Sequence, residues 1–236
     1  SRMRKQRYLT LEKRLSVPFW TKLAVPLASI VAGFLFSAIF LLISGESPLE
    51  VYSVMFEGAF GSAYGLSETV VKMIPLMIIS VGVAFAFKMQ IWNAGGEGQL
   101  HIGAAAATYV VLHLNGCNRF VTVLLAFLAA FICAGIYGLI PAILKVKWKV
   151  NELITCLMLN YVATFFVAWL IQGPWKDPTG FAFPRTRKIP SAGELTTFFG
   201  TRIHTGLIIG LAIALALWFV IYKTRWGFEI KLIGAK

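Results

Sequence analysis

The sequence predicts an all-α, polytopic membrane protein, a helical bundle with about six spans visible and its N-terminus in the cytoplasm. Three observations predict it. Apolar residues make up 58% of the 236-residue chain and charged residues 14%, too few polar groups to cover a soluble surface. The apolar residues fall in long blocks. The basic residues gather at the ends of alternate blocks.

Four blocks, residues 23–43, 70–87, 120–144 and 153–171, are long enough to cross a hydrocarbon layer about 30 Å thick. Two shorter runs, 100–114 and 207–221, complete the six, although runs of that length also suit buried or re-entrant segments. With the N-terminus inside, 15 of the 22 Lys and Arg residues fall on the cytoplasmic side. They include Arg2, Arg4, Lys5, Arg7, Lys13, Arg14 and Lys22 of the leading segment, Lys88, and Lys145, Lys147 and Lys149 between the fourth and fifth spans. The positive-inside rule therefore favours this orientation. The net charge of +12 reads as topology rather than nucleic-acid binding, since no soluble face interleaves basic and aromatic residues.

Residues 1–22 form a cytoplasmic N-terminal segment. The apolar run after it is longer than a signal peptide's core and no small-residue cleavage site stands out, so the first span is expected to be retained. Residues 44–69 lie outside. There Leu49, Tyr52, Met55 and Phe56 recur at helical spacing, which predicts a short amphipathic helix at the outer surface, broken by residues 58–65. The second outer loop, residues 172–202, has four prolines, which exclude a continuous helix. Trp175, Phe181 and Phe183 give it enough apolar material to fold as a cap, the alternative being a disordered connector. The whole chain reads as one transmembrane domain. It stops in a charged segment, residues 223–236, and is expected to be a fragment of a longer polypeptide.

Three polar constellations interrupt the apolar pattern. In "IWNAGGEGQLHIGA", Asn93, Glu97 and Gln99 stand among Gly95, Gly96 and Gly98. A solvated turn would explain them. A broken helix would too, because non-helical backbone at membrane depth is tolerated where it is buried or lines a cavity. Gly103 and Ala107, four apart, would then let the following helix pack closely. In "KVNELITCLMLNYVATFF", Asn151 suits an N-cap and Glu152 the first helical turn. Glu152, Cys156, Asn160 and Thr164, spaced by four, form a slowly drifting stripe that should face other helices or a water-filled path. In "YKTRWGFEIKLIGAK", Trp226, Phe228 and Ile230 alternate with charges, as in a segment lying at the inner surface. The phosphate-loop, GxGxxG, Ser-His-Asp and HExxH patterns are absent from the sequence. The three cysteines, Cys117, Cys133 and Cys156, form no CxxC pair and read as structural. Neither a catalytic nor a metal site is expected.

Taken together these residues resemble the permease subunits of bacterial ABC importers in the branched-chain amino acid, ribose and nucleoside permease superfamily, most closely the nucleoside (simple sugar) branch. The motif Asn-x-Gly-x-Glu-Gly-Gln with a following Ile-Gly-Ala is matched by Asn93, Gly95, Glu97, Gly98 and Gln99, then Ile102, Gly103 and Ala104. Val150, Asn151 and Glu152 with Met158, Leu159, Asn160 and Tyr161 match a second motif. Gly173, Pro174, Asp177 and Pro178 match a third, and Thr224, Trp226, Gly227, Glu229 and Ile230 a fourth. Gly96, where alanine is commoner, and His101, within an otherwise apolar run, depart from the pattern.

The resemblance implies a multi-pass protein of the bacterial cell (inner) membrane. It implies a second identical or related permease, a cytoplasmic ATPase subunit and an extracytoplasmic substrate-binding protein or lipoprotein as partners. It also implies no cofactor in this chain, with ATP bound by the ATPase. The substrate path would be lined or braced by Asn93, Glu97, Gln99, Asn151, Glu152 and Asn160. Residues Thr224, Arg225, Trp226, Gly227, Phe228 and Glu229 would begin the region that couples to the ATPase. The residues alone also admit a gradient-driven secondary transporter or channel in which Glu97 and Glu152 carry protons.

Overall fold

The computed structural model describes residues 18–114, 117–180, 183–198 and 200–234. The basic residues Arg2 to Arg14, Phe181 and Lys236 lie outside the described residues. The described chain is helical, in order α1 (Phe19–Ile43), α2 (Pro48–Phe60), α3 (Ala63–Lys88), α4 (Gly96–His113), α5 (Arg119–Trp148), α6 (Glu152–Gln172), α7 (Gly206–Lys223) and α8 (Arg225–Gly234), with one short 3-10 turn at Ser191–Gly193. It divides into two compact units, Ser1–Ser62 and Ala63–Lys236.

In the first unit α2 folds back on α1. The Tyr52 hydroxyl donates to the Phe34 carbonyl at 2.6 Å, and the Phe34 ring meets those of Tyr52 and Phe56. Phe34 lies nine residues before the end of α1, roughly 13 Å along the helix. The expected surface helix is therefore present, but it leans on the flank of α1. Its break is also narrower than residues 58–65: α2 runs through Phe60, only Gly61 and Ser62 interrupt, and α3 resumes at Ala63.

In the second unit α4 packs along α5 and α6, while α3 packs along α7 and α8. The side chains sort the opposite way from a water-soluble core. Ser67, Thr122, Cys156, Asn160, Ala105, Ala126 and Ala163 are buried, whereas Phe131, Phe165, Ile136 and Leu211 are exposed. Small and weakly polar residues let helices approach, and lipid solvates the large apolar ones at no cost. Gly103 shows the principle: a Cβ there would already touch Ala130 and Ala134 of α5 at 3.4 Å.

Five helices, α1, α3, α5, α6 and α7, are long and apolar enough to cross a membrane. The sixth expected span, residues 100–114, falls within α4. That helix has 18 residues, but Glu97, Gln99, His101 and a row of Gly and Ala leave it less apolar than the others. Flanked by α5 and α6, it has less need of a lipid-facing surface.

The loops collect at two ends. Lys88, Lys145, Lys149 and Lys223 mark the inner end by the positive-inside rule. At the outer end, the Arg119 guanidinium donates to the Glu194 carbonyl at 2.8 and 2.6 Å, Arg202 pairs with Glu68 at 3.0 Å, and Gly193 sits against Val111 of α4. Single antiparallel bridges join Lys176 to Thr186 and Thr197 to His204. The described part of the long outer loop is thus folded, with Trp175 half-buried and Phe183 exposed.

One turn of this loop is sensitive to acid. The Asp177 carboxyl is held below the usual carboxylate range by the Thr179 N–H, then by the Thr179 hydroxyl, with Arg185 adding to both. A depressed value in the folded state means that the resulting stability is complete above the ordinary Asp range and is lost as pH falls through the lower folded value. Hydrogen exchange over residues 173–187, corrected for its intrinsic pH dependence, should therefore rise on acidification below about 3.9. Asp177→Asn should give comparably fast exchange at neutral pH, and slow exchange in that variant would show that the carboxylate does not hold the turn.

Candidate functional site: a braced helix break

Helix α3 ends at Lys88 in a turn whose Gln90 takes a left-handed φ of 60°, and α4 does not begin until Gly96. The backbone between them is not helical, and its depth is set by α6. The Trp92 N–H donates to Glu152, the first residue of α6, at 2.9 Å. Asn160, eight residues further along, accepts from the Gly98 N–H at 2.9 Å and donates through its amide to the Ala94 carbonyl at 3.0 Å. Eight residues of helix span roughly 12 Å. The break thus descends from the start of α6 to its third turn, well inside a helix that is long and apolar enough to span.

The freed backbone groups are met one by one. Asn93 accepts from the Gly95 N–H at 3.0 Å and from the Cys156 thiol at 3.7 Å. The Gln99 N–H returns to the Gly95 carbonyl as the first turn of α4 closes. The glycines are needed for approach. A Cβ on Gly98 would lie 2.8 Å from the Asn160 side-chain oxygen and 3.1 Å from its Cα, and one on Gly95 would lie 3.3 Å from the Cys156 sulfur.

The predicted stripe on α6 turns inward for three of its four members. Glu152 is half-buried and Cys156 and Asn160 are buried, but Thr164 is exposed and bonds back to the Asn160 carbonyl at 2.9 Å. Each step of four residues overshoots a turn by about 40°. After three steps the line has left the interface, and Ala163, fully buried, takes its place.

Of the six predicted site residues, Asn93, Glu152 and Asn160 converge on the break. Asn151 is exposed and caps α6, accepting from the N–H groups of Leu153 at 3.0 Å and Ile154 at 3.4 Å. Gln99 turns to α5, where a Cβ on Gly138 would come within 2.8 Å of its amide nitrogen. Glu97 stands apart: exposed in the first turn of α4, it meets no hydrogen-bond or ion-pair partner among the described residues. A carboxylate there is favoured by the positive end of the helix dipole.

Two participants were not singled out from sequence. Lys145, one turn before the end of α5, forms an ion pair with Glu152 across the short connection 149–151. Glu152 is 13% exposed and Lys145 44%. Removing the lysine would leave the half-buried Glu152 carboxylate without its cation, a loss that the exposure of Lys145 screens to about 1 kcal/mol. A three-residue connection between two helices brings the flanking turns together, so the pairing was open to inference. The second participant is Tyr137, whose hydroxyl donates to the Leu159 carbonyl at 2.7 Å and whose ring closes over Gly98. Below the break lies a cavity of about 260 Å³, lined by Trp92, Asn93, Pro141, Lys145, Glu152 and Cys156. A cleft of about 680 Å³ shares Trp92, Lys145 and Glu152 with it and reaches Asn151 at the inner end.

The predicted coupling residues form a corner and a helix. The Thr224 hydroxyl donates to the Val220 carbonyl at 2.6 Å and accepts from the Gly227 N–H at 3.3 Å, so one side chain ends α7 and caps α8. A Cβ on Gly227 would run into the carbonyls of Val220 and Ile221, so the corner admits little else. Gly227, Ile230 and Gly234 turn toward the body of the unit, while Arg225, Trp226, Phe228 and Glu229 are exposed.

The break makes a direct prediction. Asn160→Ala orphans the Gly98 N–H and the Ala94 carbonyl, each costing about 1–3 kcal/mol. The detergent-solubilised full-length protein should melt several degrees lower and gain hydrogen exchange over residues 91–99. An unchanged melting point and exchange pattern would show that the break stands without Asn160.

Comparison with known proteins places the chain in a family. Residues 65–236 match the family described as branched-chain amino acid transport system, permease component. The chain is 32% identical over 96% of its length to a glucose ABC transporter permease of Haloferax volcanii, and 34% identical over 94% to a guanosine ABC transporter permease of Bacillus subtilis. It is 32% identical over 90% to a nucleoside ABC transporter permease of Lactococcus lactis. It spans 62%, 63% and 61% of these relatives, so part of each has no counterpart here. No solved structure matches. With its family match across the braced break and the α7–α8 corner, the chain belongs to the permease components of the branched-chain amino acid transport systems and is a multi-pass protein of the inner membrane.

Proposed function

We propose that the full-length protein is the membrane-spanning subunit of an ATP-driven importer for nucleosides or simple sugars, with its translocation path running past the α3–α4 break. The observation that carries this reading is the non-helical backbone of residues 91–95, held by Glu152 at the start of α6 and by Asn160 at its third turn. A membrane tolerates such backbone only where it is buried or lines a polar passage, and transporters place substrates at helix ends of this kind. The names of the relatives, which concern glucose, guanosine and nucleosides, support the substrate class.

Within that path Glu97 is the residue free to meet substrate. Asn93, Asn151, Glu152 and Asn160 brace the backbone, and Gln99 fixes α4 to α5. A neutral, hydroxyl-rich substrate suits a carboxylate acceptor at a helix N-terminus. The exposed underside of α8, with Trp226 and Phe228 72% and 65% exposed, offers a docking face to a cytoplasmic ATPase. A second permease subunit would flank the path, and the folded outer loop would meet an extracytoplasmic binding protein or lipoprotein. ATP belongs to the ATPase.

Uptake of radiolabelled nucleosides and sugars by cells expressing the full-length protein with its ATPase tests the proposal. Uptake should vanish when the ATPase cannot hydrolyse ATP. Glu97→Gln should lower it about tenfold, the loss of one charge-assisted hydrogen bond, while membrane insertion stays intact. Uptake that follows a proton gradient and persists without ATP would replace the importer by a gradient-driven transporter, and wild-type uptake by Glu97→Gln would return this residue to a solvated turn.

A further inference from the structure

Helix α8 and the break are joined at one point. The Gln90 side-chain amide donates to the Gly234 carbonyl, at the end of α8, at 3.0 Å. Gly234 lies so close beneath α3 that a Cβ on it would collide with the Lys88 carbonyl. Gln90 itself occupies the left-handed position that closes α3: the Ile91 N–H returns to the Ala86 carbonyl at 3.1 Å and the Gln90 N–H to Phe87 at 3.0 Å. This is the place where helices usually carry glycine, since a side chain disfavours the conformation. Two residues later Trp92 begins the series of bonds to Glu152, Asn93 and Asn160.

We propose that Gln90 is a positioning residue that transmits displacement of α8 to the helix break, through its bond to Gly234 and its own left-handed backbone. The inference rests on the reading of α8 as the ATPase-facing helix. Helix α8 also packs on α7, but α7 leads away to the outer loop. The Gln90–Gly234 bond instead joins α8, well beyond the Thr224 corner, to the short segment that opens directly into the break. A helix held in its first turn by the Thr224 corner and at Gly234 by Gln90 cannot tilt about that corner without drawing on the Gln90 bond. The corner is closed by the carbonyls of Val220 and Ile221 around Gly227. Motion is therefore delivered at Gln90, where a single-residue turn can change its dihedral angles.

The test uses the full-length permease with its ATPase in nanodiscs, comparing Gln90→Gly and Gln90→Asn with the parent. Both replacements favour the left-handed conformation and neither reaches Gly234, so both should fold. In the parent, ATP binding should change hydrogen exchange over residues 91–99. In both variants that change should shrink about threefold to tenfold, the loss of one hydrogen bond's bias, with the ATPase still bound and still hydrolysing ATP. Retention of the full change in both variants would overturn the proposal. So would a parent whose break does not respond to ATP while ATP-driven uptake proceeds, which leaves the importer reading intact. Loss of the ATPase from the variants would make Gln90 part of the docking face and would equally overturn transmission.

Discussion

The structure of the second unit depends on one constraint: backbone that leaves a helix inside a membrane must find every hydrogen bond within the protein. Water outside the bilayer would satisfy residues 91–95 for nothing. Where the break reaches the third turn of α6, each orphaned group costs about 1–3 kcal/mol. This explains why α6 carries a carboxylate at its start and an amide two turns later, with a thiol between, on a face it shares with Ala163 and Leu170. It explains why glycine stands at 95 and 98, where the bracing side chains must come within 3.3 Å. It also explains why α4 packs so closely on α5 through Gly103, since a helix whose first turn is held by side chains of a neighbour has no freedom to adjust its distance.

The same constraint accounts for the polarity of the interior. In water the driving force for packing these helices would be burial of Leu, Ile and Phe, and those residues would be inside. Here most of them face outward, and Ile74, Val111 and Leu170 share the interior with Gly, Ala, Ser, Thr, Cys and Asn. Packing contacts and hydrogen bonds must then hold the bundle together, and the bonds from Tyr137 to Leu159 and from Glu152 to Trp92 and Lys145 act as ties between helices.

Much of this was legible in the sequence, for reasons that can be named. Long apolar runs located α1, α3, α5, α6 and α7, because spanning length leaves a composition that few other structures share. Asn151 was readable as a cap since capping is local, and Glu152, Cys156 and Asn160 were readable as one inward stripe since helical periodicity is local too. Thr164 was placed on the same stripe and is not, because spacing by four drifts. The residues that complete the site could not be read this way. Gln90 carries no marker of left-handed backbone, as a glycine would, and its partner lies 144 residues later. The lean of α2 on α1 depends on a hydroxyl reaching a carbonyl of another helix, which no pattern within residues 44–69 encodes.

The bracing also constrains where substrate choice can reside. Asn160 uses its oxygen and its nitrogen on the backbone, the Asn93 oxygen already serves the Gly95 N–H and the Cys156 thiol, and Glu152 is divided between Trp92 and Lys145. A substrate that competed for the groups already engaged would have to displace a bond holding the break open, at a cost comparable to the bond it gained, whereas the Asn93 side-chain N–H groups meet no partner among the described residues. Under the proposed function, the engaged oxygens and amide groups are structural rather than recognition elements, and discrimination falls to positions that carry no structural bond, Glu97 foremost, and to whatever partner delivers the substrate.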